Sequence, residues 1–119
     1  DGAFWLGGYE YKFEEGIETL TKRICIERGK NLSYQQHYYR SEVWTIIKGT
    51  GEFVLDGKLY QVNAGDVLQV PIAAKHAIRA ITDLEIIEVQ RGSELIEEDI
   101  IRIETEWKNI INMCKLANV

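Results

Sequence analysis

The chain has 119 residues, 45% of them hydrophobic and 28% charged, with a formal net charge of -5. That length builds one hydrophobic core and leaves no room for a second, so a single domain over 1–119 is expected. The acidic balance argues against nucleic acid as a partner, because phosphate contacts need a basic surface, and two cysteines, Cys25 and Cys114, are too few for a disulfide framework.

Short apolar runs alternate with turn signals along the chain. Thr19 to Glu27 reads as a strand with Cys25 as a reduced core residue, and Arg28-Gly29-Lys30-Asn31 as the turn after it. Lys22 and Arg23 are neighbours on that strand, so only one of them can face a pocket. Leu32 to Tyr39 is the next strand, followed by Val43 to Ile47 and then Lys48-Gly49-Thr50-Gly51. Glu52 to Leu55 and Lys58 to Val62 flank Asp56-Gly57, a strong two-residue hairpin signal. Asn63-Ala64-Gly65-Asp66 turns into Val67 to Val70, and His76 to Ile81 and Leu84 to Gln90 complete the set. Many short strands at near-regular spacing predict a β-sandwich or barrel. The acidic run Glu97-Glu98-Asp99 reads as solvated surface or a turn, and Glu104 to Leu116 has the helical spacing of a C-terminal helix packed on the barrel or a partner. No stretch is long and apolar enough to span a membrane and no signal peptide is visible, so a cytoplasmic protein without a membrane partner is expected. The strands carry more apolar residues than one small interior needs, which predicts a homodimer.

Two spaced clusters carry the chemistry, and each ends in a histidine. The first is Gly29, five residues, Gln35-x-His37, four residues, Glu42, six residues, Gly49; the second is Gly65, five residues, Pro71-x-Ala73, two residues, His76. These clusters use both histidines of the chain. Gln35 and His37 share a strand face, Glu42 can meet them across a hairpin, and His76 joins them only if the sheet rolls up. Two imidazoles, an amide oxygen and a carboxylate suit a divalent cation of borderline softness, with zinc first and manganese, iron or nickel as alternatives. With four protein ligands at most, water or substrate can complete the shell, as in catalytic sites. Tyr39 has the parity of Gln35 and His37, so its hydroxyl is expected inside the barrel as a substrate contact or an acid.

The two clusters resemble the paired motifs of the cupin superfamily, with Gln35 where the first histidine usually stands. The segment from Leu32-Ser33 through Gln35, His37, Arg40 and Glu42 to Trp44 is similar to the L-S-x-Q-x-H-H-H-R-x-E-x-W segment of type II mannose-6-phosphate isomerases, often the C-terminal domain of bifunctional guanylyltransferases. Lys22-Arg23, the run Glu85 to Gln90 with Gly92-Ser93, and Glu98-Asp99-Ile100-Ile101-Arg102 continue the likeness, which covers roughly Trp5 to Trp107. The resemblance implies an all-β double-stranded β-helix, the cupin jelly-roll barrel. It implies a metal-dependent isomerase that interconverts mannose 6-phosphate and fructose 6-phosphate through an enediol. Arg40 and Lys22 would contact the sugar phosphate, and Glu42 is a candidate base if it is not a permanent ligand. The chain departs from the family at Tyr38, Tyr39 and Val43, where histidines are usual, at Ala73, where glycine is usual, and at Lys108-Asn109, where a Tyr-Gly-Arg ending is usual. These departures favour the alternatives, a non-catalytic sugar-binding cupin or a nucleotide-sugar isomerase or epimerase. No Gly-rich phosphate loop of the nucleotidyltransferase kind occurs, so guanylyltransferase activity is not expected of these residues.

Overall fold

The computed structural model describes residues 3–14 and 17–117, with side chains over 17–114. Residues 1–2, 15–16 and 118–119 of the single domain expected over 1–119 lie outside the described residues. The described strands are β1 (Ala3–Glu14), β2 (Ile17–Ile26), β3 (Tyr34–Gln36), β4 (Arg40–Lys48), β5 (Thr50–Leu55), β6 (Lys58–Asn63), β7 (Val67–Val70), β8 (His76–Ala80), β9 (Leu84–Gly92) and β10 (Ile101–Glu104), followed by helix α1 (Trp107–Ala117). They form two antiparallel five-stranded sheets, β1-β2-β9-β4-β7 and β10-β3-β8-β5-β6. This is the expected jelly roll, a double-stranded β-helix. Among the described residues no helix is long and apolar enough to cross a membrane.

Alternation drives the architecture. In β4 the residues Glu42, Trp44 and Ile46 are buried while their neighbours are not, the period of a half-buried strand. In β9 the buried set is Leu84, Ile86, Glu88 and Gln90. The inward faces meet in a core of Ile26, Trp44, Ile46, Phe53, Ile78 and Ile86 with smaller residues between them. Each such aliphatic side chain contributes roughly 1.5–3 kcal/mol by leaving water. A second cluster, Tyr34, Val54, Ala77, Ile110 and Cys114, seats α1 against the outer face of the β3-β8-β5 sheet. The helix therefore packs on its own barrel.

The Asp56-Gly57 signal is realised as a tight hairpin, with Leu55 paired to Lys58 and φ of 46° and 80° at the two turn residues. Positive φ at both central positions matches the right-handed twist of the flanking strands. Other boundaries differ from expectation. The strand expected over Leu32–Tyr39 stops at Gln36, and the next begins at Arg40 rather than Val43. Strands β1 and β10 were not expected at all. Cys25 is half-buried rather than a core residue. The helix starts at Trp107, because the Glu104 carboxylate accepts the amides of Thr105 and Glu106, both at 3.0 Å, in the turn before it.

The turn between β7 and β8 carries a strained residue. Ala73 has φ of 67°, the left-handed region that a Cβ disfavours. Three bonds hold it there: its amide donates to the His37 carbonyl at 2.8 Å, its own carbonyl accepts from Gln36 Nε2 at 3.0 Å, and the next amide, of Ala74, donates to the Pro71 carbonyl at 3.1 Å. The residue type the resemblance expects here, glycine, is the one with no steric penalty. Ala73→Gly should therefore raise stability by about 0.5–1 kcal/mol, the left-handed penalty less the extra entropy of unfolded glycine. Urea unfolding of both proteins measures it, and a lower midpoint in the glycine variant would contradict the strain argument.

Candidate metal centre and substrate cleft

Three of the four expected ligands meet inside the barrel. One ligand atom from each of His37, Glu42 and His76 lies within 4.8 Å of the others, and all three residues are buried. His37 follows the end of β3, Glu42 sits on β4, and His76 opens β8, so both sheets contribute. His37 Nε2 stands 3.4 Å from Glu42 Oε2, and His76 Nε2 stands 3.5 Å from Glu42 Oε1.

The two imidazoles are held from behind in the same way. His37 Nδ1 lies 2.7 Å from the Asp99 carbonyl, and His76 Nδ1 lies 3.0 Å from the Ala74 carbonyl. A carbonyl only accepts, so each Nδ1 carries the proton and each Nε2 is turned inward. Metal-binding histidines are commonly held in this way, with the far ring nitrogen donating to a carbonyl and the near one left free to ligate. His76 Nε2 is buried and has no hydrogen-bond partner among the described residues. An orphaned inward nitrogen beside an ionised carboxylate fits a cation ligand set, and the residues present therefore suit a divalent ion.

Glu42 is the charged centre. Its Oε2 accepts from Arg40 Nε at 2.8 Å and its Oε1 accepts from Trp44 Nε1 at 3.0 Å. Burial works to raise this carboxyl, but the contacts with His76, His37 and Arg40 outweigh it and hold the group at about 2. Burial moves His37 the other way: it pulls the imidazole below its usual range, against the attraction of Glu42, so the ring favours its neutral, ligating form. Arg40 also reaches His37, with its terminal nitrogen 3.2 Å from Nε2, so its guanidinium covers the site on one side.

Beyond Arg40 opens a cleft of about 240 Å³, lined among others by Lys22, Gln35, Arg40, Glu88, Gln90 and Arg102. Gln35 lies here, paired in register with His76, and its Oε1 accepts from Ser33 Oγ at 2.9 Å. Lys22 faces the cleft while Arg23 pairs with Glu85 at 2.6 Å elsewhere on the sheet, as the parity of the strand requires. Tyr39 is placed differently from the expectation. The chain leaves β3 after Gln36, the parity argument ends there, and both Tyr38 and Tyr39 are 49% exposed.

The cause of that departure is Asp99: Glu97 and Glu98 form the exposed turn expected of the acidic run, but Asp99 is turned inward. It is 6% exposed, and its carboxylate accepts the amides of Tyr38 at 2.8 Å and Tyr39 at 3.0 Å. One residue thus pins the loop with its side chain and orients His37 with its carbonyl. Gly92 completes the fit: a Cβ there would collide with the Tyr39 carbonyl oxygen, so only glycine lets β9 run against the start of β4.

Sequence reasoning also missed Glu88 and Gln90 as pocket residues, although both are buried and share the inward parity of β9. Gln90 Nε2 donates to Glu88 Oε1 at 2.7 Å. Burial first, and the nearby Glu42 charge second, push the Glu88 carboxyl up to about 7, against the opposing pull of Gln90, Arg40 and Lys22. The available signal was parity: Glu88 and Gln90 continue the every-second-residue spacing of the apolar Leu84 and Ile86. The two carboxyls of the site are thus driven apart, one ionised throughout and one titrating near neutrality.

Comparison with known proteins places this geometry. The family model described as mannose-6-phosphate isomerase C-terminal matches residues 4–105. The chain belongs to that family. Relatives in the family include a putative mannose-1-phosphate guanylyltransferase of Vibrio cholerae, 36% identical over 93 residues, covering 76% of this chain and 20% of that protein. The alginate biosynthesis protein AlgA of Pseudomonas putida is 40% identical over 100 residues, covering 82% of this chain and 20% of that protein. The chain thus spans about a fifth of the length of these relatives. Among solved structures, a double-stranded β-helix protein of Klebsiella pneumoniae superposes with a TM-score of 0.63 at 16% identity, covering 72% of this chain and 75% of that one. A putative sugar phosphate isomerase of Acidithiobacillus ferrooxidans gives a TM-score of 0.59 at 25% identity, covering 71% of this chain and 55% of that one. The family membership and the neighbours agree with the cupin resemblance of the two motifs.

The raised Glu88 carboxyl has a stability signature. Between 4.5 and about 7 the folded chain keeps a proton that the unfolded chain has lost. Stability from the neutral form is full below 4.5 and is lost as pH rises through about 7. Urea unfolding of chelator-treated protein should show the stability of wild type falling relative to Glu88→Gln across that window, a comparison that cancels the opposite contribution of His37. An unchanged pH slope in the variant would assign the effect to another group.

Proposed function

We propose that this domain binds a divalent cation through His37, Glu42 and His76, with Gln35 at the edge of the shell, and isomerises a phosphorylated sugar. The substrates are mannose 6-phosphate and fructose 6-phosphate. One observation carries the reading: two imidazoles, each anchored through Nδ1 to a main-chain carbonyl, converge by Nε2 on one ionised buried carboxylate. Family membership and the mannose-1-phosphate guanylyltransferase relatives support the sugar-phosphate chemistry. Zinc is the first candidate, with manganese, iron and nickel compatible with the donor set.

A bound cation would polarise the substrate carbonyl and steady negative charge on the enediol oxygens. The remaining work falls to the chain. Glu42, held ionised near 2, is a permanent charge and a poor proton carrier. Glu88, titrating near 7 in the adjoining cleft, suits the transfer: its carboxylate takes the proton from C2 of the aldose and returns it to C1, while the O2 proton passes to O1 at the enediol, so the C2 carbonyl forms with no net gain or loss of protons. Arg40 holds Glu42 in place through its 2.8 Å bond. Gln90 keeps Glu88 oriented. Tyr39, at 49% exposure, is assigned no proton transfer.

A second reading, a sugar-binding cupin without turnover, draws on Tyr38 and Tyr39, which stand exposed where the family resemblance expects histidines. A coupled assay with mannose 6-phosphate, with and without added metals, separates the two. His76→Ala should lose both bound metal, read by elemental analysis, and most activity. Glu88→Gln should lower kcat by about 10²-fold or more with metal content unchanged, the usual scale for a general base. Tyr39→Phe should leave kcat as it is. Undetectable turnover in metal-loaded wild type would reject the isomerase and leave the binding module.

A further inference from the structure

We propose that Arg102 and Lys22 together form the phosphate-binding rim of the cleft. The inference rests on the sugar-phosphate reading above and assigns the part of the site that recognises the charged end of the ligand.

The family resemblance points to Arg40 and Lys22, and the geometry separates them: Arg40 is turned toward the buried carboxylate, while Arg102 is the addition the structure makes. The Arg40 side chain is 11% exposed and already engaged, with Nε 2.8 Å from Glu42 Oε2 and a terminal nitrogen 3.2 Å from His37 Nε2. Its Nε bond to the Glu42 carboxylate commits that edge of the guanidinium to the buried cluster.

Two cations of the same cleft are not so committed. Arg102 lies on β10 and pairs in register with Gln35, so the two side chains share one face and the cleft beneath it. Arg102 is exposed and makes no ion pair among the described residues. Lys22 comes from β2 in the other sheet and lines the same cleft. Its partner is Glu97 at 3.8 Å, and that carboxylate is 91% exposed. A long pair with a solvated acid contributes little and yields readily to a stronger anion. A guanidinium fork and an ammonium approaching from opposite sheets suit a phosphomonoester dianion, the first as a bidentate donor and the second as a point charge. The other acids of the cleft leave the rim positive: Glu88 is buried on its floor against Gln90, and Glu97 is the displaceable partner of Lys22. In a chain of net charge -5, this is a local concentration of cations, not a general basic surface.

Isothermal titration calorimetry tests the rim at equilibrium, independently of turnover. The probes are mannose 6-phosphate, fructose 6-phosphate, glucose 6-phosphate, the three unphosphorylated sugars and inorganic phosphate, each added to metal-loaded chain. Arg102→Gln and Lys22→Gln should each weaken the phosphorylated sugars by about 10-fold to 100-fold, the worth of one charge-assisted contact. Both should leave metal content and the affinity for unphosphorylated sugars unchanged. Arg102→Lys should recover only part of the loss. Both side chains are at the cleft mouth, and a thermal melt of each variant confirms the fold. Unchanged sugar-phosphate affinity in either glutamine variant overturns the proposal, as does failure of every phosphorylated probe to bind wild type. A chain that binds sugar phosphate through this rim but never turns it over upholds the rim and rejects the isomerase.

Discussion

A buried carboxylate that stays ionised is the constraint around which the rest is arranged. Glu42 is 2% exposed, and an unpaired charge so placed costs several kcal/mol. Arg40, Trp44 and the two imidazoles surround it on every side that the hydrogen bonds and ion pairs define. Those partners come from β4, the loop after β3, and β8, so meeting the need of one side chain requires that both sheets close. Site and fold are coupled through this demand.

The same demand explains the division between the two carboxyls. Glu88 shares the inward face of β9 and feels the Glu42 charge, but its one described hydrogen bond is from Gln90. With the counter-charges spent on Glu42, burial governs Glu88 and lifts it to about 7. Neither group needs an unusual residue type. Position relative to the two imidazoles, with Arg40 adding to them, decides which is the permanent anion and which can exchange a proton.

Much of this was legible in the sequence wherever a local rule applies. Strand periodicity and the Asp56-Gly57 turn located most of both sheets, and the spacing of His37, Glu42 and His76 put them on one interior. What the sequence hid depends on partners far along the chain. Tyr39 loses its expected parity because Asp99, sixty positions later, ends β3 by taking the amides of Tyr38 and Tyr39. Asp99 in turn sits in an acidic run that composition reads as solvated. β10 is too short, and too polar at Arg102 and Glu104, to announce itself without its partner β3. Glu88 and Gln90 had the right alternation, but alternation alone does not separate a buried carboxyl from an ordinary outward one.

The way the segment 93–104 is attached has an evolutionary consequence. His37, Glu42 and His76 are buried on or beside core strands, with Glu42 and His76 against Trp44 and His37 against His76, so altering them disturbs the interior. The segment that carries Glu97, Ile100 and Arg102 over the cleft is different. It is fastened chiefly by Asp99 and by the short β10 ladder, and most of its side chains face solvent. Substitutions there can reshape what enters the cleft while the barrel keeps its interior intact. Diversification among domains of this architecture has a cheap route through that segment and an expensive one through the strands beneath it, so the lining of the cleft can drift quickly while the buried His37, Glu42 and His76 cluster stays put.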